Sequence, residues 1–124
     1  MPWTVQFGDE FDDEYRTLNE DVQDALLAAV TLLENVGPEL GRPFVDTLKG
    51  SKYANMKELR FSASRGVWRV AFAFDPSRQA VLLVAGDKTG VSQTRFYRSL
   101  IAIADARYTA HLQRLSDRLT RRGH

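Results

Sequence analysis

The sequence predicts an α+β domain: a small, mainly antiparallel sheet, two N-terminal helices packed on one of its faces, and a long C-terminal helix. Three observations predict it. Two stretches of helical periodicity occupy residues 8–36, three consecutive strand-like runs occupy residues 56–86, and helical periodicity resumes at Ser92. Consecutive strands joined by short turns become antiparallel neighbours. Packing the helices on one sheet face leaves the other face free for function. The expected organisation is one domain over 1–124, with 92–124 as a helical extension.

The elements follow in order. Trp3-Thr4-Val5-Gln6-Phe7 alternates apolar and polar, as a half-buried strand does. In the acidic stretch 8–18, Phe11, Tyr15 and Leu18 fall on one helical face. Asn19 is placed to cap a second helix whose first turn carries Glu20 and Asp21. Val22, Ala25, Leu26, Ala29, Leu32, Leu33 and Val36 form its apolar stripe, and Gly37-Pro38 stops it. Glu39–Ser51, with Gly41, Pro43 and Gly50, reads as an irregular connection. Strands are expected at Met56–Ser62, Val67–Phe74 and Ala80–Gly86, with turns at Arg65-Gly66 and Asp75-Pro76-Ser77 and a loop at Gly86–Gly90. Phe96, Leu100, Ala104, Tyr108, Leu112, Leu115 and Leu119 form the stripe of the last helix, whose basic end is expected to project.

Composition narrows the function classes. At 44% hydrophobic and 27% charged, the chain reads as soluble and folded. No apolar run approaches the ~20 residues of a membrane helix, and the first residues lack the pattern of a secretory signal. With no cysteine, disulfides and thiolate metal sites are ruled out, and a cytoplasmic location is expected. The net charge of +1 hides a split: residues 1–48 carry −9 and residues 49–124 carry +10. A basic surface suited to phosphate, or mutual pairing of the two halves, would each account for it. No P-loop, dinucleotide fingerprint, nucleophile elbow, zinc pattern or EF-hand is present. His111 and His124 have no partner at metal-ligand spacing, so neither a metal nor a cofactor is expected.

Strand alternation sorts the candidate chemistry. Met56, Glu58, Arg60 and Ser62 share a face with Val67, Arg69, Ala71 and Ala73, whereas Lys57 points with Leu59 and Phe61 to the other. The expected open face therefore holds Glu58, Arg60 and Arg69, with small alanines leaving room beside Arg69. Lys88 follows the last strand, and Arg95, Tyr97 and Arg98 come soon after. Guanidinium groups bind phosphate by paired, charge-assisted hydrogen bonds and stabilise the charge of a pentacoordinate phosphate. Attack of a ribose 2′-hydroxyl on its own phosphate needs a base, an acid and such cations, and no metal. Glu58, Lys57, Lys88 and Tyr97 are the groups able to move protons, and Tyr97 or Tyr53 is able to stack on a base. The same residues also fit a structural reading, in which Glu58 and Arg60 form a solvated ion pair and Tyr97 packs the last helix.

The runs Leu48-Lys49-Gly50, Met56-Lys57-Glu58-Leu59-Arg60 and Trp68-Arg69-Val70-Ala71-Phe72 resemble the core of the RelE/ParE superfamily of toxins, in its phage-derived HigB-type branch. Val81-Leu82-Leu83-Val84 with Gly86-Asp87-Lys88-Thr89 looks like that branch's last strand and lysine-bearing loop, and the stretch from Phe96-Tyr97 to His111-Leu112 resembles its C-terminal helix. The resemblance implies the toxin of a type II toxin–antitoxin pair, an endoribonuclease that cuts mRNA on the ribosome. It also implies a cognate antitoxin, often a helix-turn-helix, HigA-like protein. Arg60, Arg69, Lys88, Glu58 and Tyr97 are the catalytic candidates it supports, and Lys57, Arg95 and Arg98 those for RNA binding. In this chain Glu58 directly precedes Leu59-Arg60, where RelE itself has lysines, so the general base stays open between Glu58 and Lys88. A ParE-like gyrase inhibitor, a non-catalytic nucleic-acid-binding module and an inactive phage remnant are the competing readings.

Overall fold

A computed structural model describes residues 2–122, and His124 lies outside them. Strand β1 (Thr4–Phe7) leads to helices α1 (Asp9–Thr17) and α2 (Glu20–Val36). Strands β2 (Val45–Thr47), β3 (Met56–Ala63), β4 (Gly66–Phe74) and β5 (Gln79–Asp87) follow, and helix α3 (Gln93–Arg122) comes last. The sheet order is β1-β5-β4-β3-β2; β1 runs parallel to β5, and the other pairs are antiparallel. The expected α+β fold, its two N-terminal helices and its long last helix are all present.

Local chemistry sets the helix ends. Asn19 accepts hydrogen bonds from the amides of Asp21 (2.9 Å) and Val22 (3.4 Å) and so caps α2. Gly37 ends α2 at φ +72°, and the Trp3 ring lies so close that a Cβ there would overlap it.

Two cores flank the sheet. On one face, Leu26, Val30 and Leu33 of α2 and Phe11 of α1 pack on Leu59, Val70, Phe72 and Leu82. On the other, Phe96, Leu100, Ala104 and Tyr108 of α3 pack on Met56, Ala71, Ala73, Val81 and Leu83. Each large side chain buried this way contributes about 1.5–3 kcal/mol relative to exposure. A bulge between Ala71 and Phe72 sets Leu82 and Val84 opposite those neighbours, and both Leu83 and Val84 then enter the α3 core.

This layering corrects the expectation of a free sheet face. Ala71 and Ala73 make room for α3, not for a ligand. Gly86 acts likewise, since a Cβ there would lie 2.9 Å from the Phe96 ring. Two further differences concern the chain around the sheet. The connection 39–51 contains β2, whose Val45 is buried opposite Leu59. Helix α3 is unbroken over 30 residues, about 45 Å at ~1.5 Å per residue. Its apolar stripe stops short of Leu119, which is 69% exposed.

Polar contacts hold α3 in place. Arg107 grips both carboxylate oxygens of Glu14 (2.6 and 2.7 Å) and the Leu83 carbonyl (2.8 Å), and Arg114 reaches Glu10 and Asp9 of α1. The charge split of the sequence is thus partly mutual pairing. His111, buried, pairs with buried Asp75 at 2.8 Å. The Tyr53 ring packs edge-on to Tyr108, which places it in the α3 contact. No helix among the described residues is long and apolar enough to cross a membrane.

Candidate active site

Antiparallel register assembles the site. Arg60 and Arg69 are direct partners across β3 and β4, and Glu58 lies one step along the same face, opposite Ala71. Strand β2 adds Asp46 directly opposite Glu58. The second turn of α3 adds Tyr97.

Glu58 is the centre of the arrangement. Its Oε1 accepts a hydrogen bond from the Tyr97 hydroxyl at 2.7 Å and lies 3.1 Å from Arg69 Nε and 3.7 Å from Arg60 Nε. Among the described residues, Oε2 makes no hydrogen bond. Glu58 and Arg69 are buried, at 4% and 8% exposure. Arg69 Nε also donates to the Tyr97 oxygen (3.3 Å) and its Nη1 to the Trp68 carbonyl (2.9 Å). The Arg60 side chain is 28% exposed; its Nε has no hydrogen-bond partner, and its terminal nitrogens make no hydrogen bond among the described residues. Arg69 Nη2 likewise makes no hydrogen bond among the described residues, so Arg60 is the arginine with more donors to offer.

Tyr97 stays a neutral phenol. Burial pushes its pKa above the ordinary tyrosine value, the bond to Glu58 adds to the shift, and Arg69 opposes it. Asp46 is held ionised: hydrogen bonds from Arg42, at 3.0 and 2.7 Å to Oδ2, and from the Thr47 amide lower its pKa. Together these residues line a cleft of about 310 Å³ whose walls include Arg42, Asp46, Lys49, Glu58, Arg60, Gln93 and Tyr97. A carboxylate with one free oxygen beside several cations is suited to taking a proton from a hydroxyl while a neighbouring phosphate is held.

The structure brings Glu58, Arg60, Arg69 and Tyr97 together. It leaves the other candidates outside the cleft. Lys57 pairs with Thr47 and Phe72 on the opposite sheet face. Lys88 begins the loop after β5, where its amide bonds the Val67 carbonyl. Arg95 and Arg98 are exposed on α3 and line no part of the cleft, and Arg95 borders an apolar groove with Val91, Phe96 and Ile103 instead. Arg42, Asp46, Lys49 and Gln93 were missed from sequence. The only signal for Lys49 was its place in the Leu48-Lys49-Gly50 run; the three-residue β2 gave none for Asp46. Among the described residues, no three His, Asp or Glu side chains cluster so as to hold a metal ion.

Comparison with known proteins gives the following. Residues 13–109 match the family described as phage-derived Gp49-like proteins. The chain is 45% identical over 101 residues to a Mycobacterium tuberculosis protein named as toxin HigB2, a match covering 81% of this chain and 50% of that protein. It is 50% identical over 90 residues to toxin HigB3 of the same organism, covering 73% of this chain and 76% of that protein. The chain thus spans about half the length of HigB2. A mutant of Escherichia coli toxin RelE, solved in the free state, has the same fold: TM-score 0.58 at 14% identity, over 82% of this chain and 96% of that one.

Proposed function

Because the chain belongs to the phage-derived Gp49-like family, among the HigB-type toxins of the RelE superfamily, we propose that it is an mRNA-cleaving endoribonuclease that arrests translation. The single observation that carries this reading is Glu58, with Oε1 fixed by Tyr97 and Arg69 and Oε2 left free in a cleft walled by cations.

In the proposed reaction, Glu58 Oε2 takes the proton of a ribose 2′-hydroxyl, whose oxygen attacks the adjacent phosphate as the bond to the 5′ oxygen breaks. Arg60, with its unused donors, faces the charge that builds on the phosphate. Lys49 is the proton donor the cleft offers to the leaving oxygen. Arg69 acts on Glu58, holding Oε1 and the carboxylate's orientation, rather than on substrate. Of Glu58 and Lys88, the two candidates for the base, Glu58 is the one inside the cleft.

The proposed setting is the cytoplasm, on the translating ribosome, with a cognate antitoxin of the helix-turn-helix kind as the neutralising partner. Primer extension on a message translated in vitro tests the activity. New 5′ ends that require both the protein and ongoing translation support it. Folded protein that yields none, while inhibiting DNA supercoiling, would move the assignment to a gyrase poison.

A further inference from the structure

Arg60 stands between two grooves. One is the cleft already described. The other, about 290 Å³, is lined by Pro43, Phe44, Arg60, Phe61, Val67 and Arg69. The two differ in chemistry: the first offers carboxylates and cations, the second offers rings and a proline beside the same guanidinium.

Phe44 is the telling residue. Its backbone is fixed on both sides, the amide bonding the Gly41 carbonyl (3.1 Å) and the carbonyl accepting from the Arg60 amide (2.8 Å). The residue is nonetheless 46% exposed, belongs to neither core, and its ring pairs with no other ring among the described residues. An exposed ring on a fixed backbone next to an under-used guanidinium is a platform for a flat, apolar-faced group attached to an anion. A nucleotide is such a group, because in single-stranded RNA bases flank phosphates and unpaired bases stack on aromatic and guanidinium planes.

We propose that the Phe44 groove is a nucleobase subsite: an unpaired base next to the scissile phosphate stacks on Phe44 while Arg60 holds the phosphate. The inference rests on the endoribonuclease reading and adds to it a residue that sets where the message is cut.

The test is to map and time cleavage on a translated message, comparing wild type, Phe44→Ala and Phe44→Trp, each checked for an unchanged melting temperature. Losing one stack costs on the order of tenfold in binding. The expected result is that Phe44→Ala needs roughly tenfold more message for half-maximal rate and loses discrimination among bases beside the cut, while Phe44→Trp keeps both. Phe44→Ala cleaving at wild-type rate with unchanged base preference would overturn the subsite and leave the endoribonuclease reading standing. The same unchanged cleavage with lost neutralisation by the antitoxin would assign Phe44 to that protein contact, also overturning it. Wild-type protein that cuts nothing in this reaction would overturn the endoribonuclease reading and the subsite with it.

Discussion

Arg60 and Arg69 face each other as cross-strand partners, and one oxygen of Glu58 lies within 3.7 and 3.1 Å of their Nε atoms. Like charges directly opposite on a sheet repel. The shared carboxylate offsets that repulsion, but its geometry is unequal: it is a close ion pair with buried Arg69 and a long one with half-buried Arg60. On the proposed mechanism the two arginines have different jobs.

That difference is measurable. Arg69→Ala leaves the buried Glu58 carboxylate without its close partner, and breaking such a pair costs about 3–5 kcal/mol. Arg60→Ala is expected to leave the melting temperature nearly unchanged and to slow cleavage by ~10²–10³-fold, the usual loss for one donor to transition-state charge. Thermal denaturation beside single-turnover cleavage separates the two; a large stability loss in Arg60→Ala with little loss of rate would reverse the assignment.

Tyr97→Phe removes the 2.7 Å bond to Glu58 and keeps the ring against Phe96. Stability is expected to fall by about 1 kcal/mol, and cleavage to drop because Oε1 loses the donor that orients the carboxylate. If urea unfolding and cleavage were both unaltered, the hydrogen bond would have no part in the site.

Alkaline titration probes the packing of α1 and α3 on the two sheet faces. Burial raises the pKa of Tyr15, Tyr97 and Tyr108 above the ordinary value of about 10. A phenol raised in the folded state contributes stability that is whole below its unfolded value and is lost as pH rises through its folded value. Ultraviolet titration is expected to show these three ionising late, together with falling stability above pH ~10. Ordinary tyrosine titration in folded protein would contradict the burial.

His111 and Asp75 form the buried clamp on the middle of α3, with Asp75 also accepting from the Ser77 and Gln79 amides. His111→Ala removes the hydrogen bond to Asp75 Oδ2 and is expected to destabilise the protein by about 1.5–3 kcal/mol, the usual worth of a hydrogen bond to a charged group. Cleavage per folded molecule should be preserved at a temperature where the variant is folded, since neither residue lines the cleft. A specific rate that fell along with stability would mean the clamp also sets the position of Tyr97.

The β3–β4 half of the site was legible because period-two alternation over Met56–Ala63 and Gly66–Phe74 fixes which side chains share a face. The same rule correctly separated Lys57 from Glu58. The placement of α3 was not legible. Its stripe of Phe96, Leu100, Ala104 and Tyr108 shows that one side is buried, but periodicity carries no information about which sheet face receives it. Ala71 and Ala73 were ambiguous for the same reason, since small residues suit a ligand or a close helix equally. Arg42 and Asp46 were hidden because β2 has three residues, too few for alternation to register, in a stretch dominated by glycine and proline.

The most direct test of the account is the single-turnover cleavage rate of Glu58→Gln on a translated message, measured beside its melting temperature. Glutamine keeps the shape of the side chain but cannot serve as the base. The account predicts folded protein whose rate has fallen by at least ~10²-fold. Folded Glu58→Gln cutting at the wild-type rate would contradict it and send the search for the base elsewhere in the cleft.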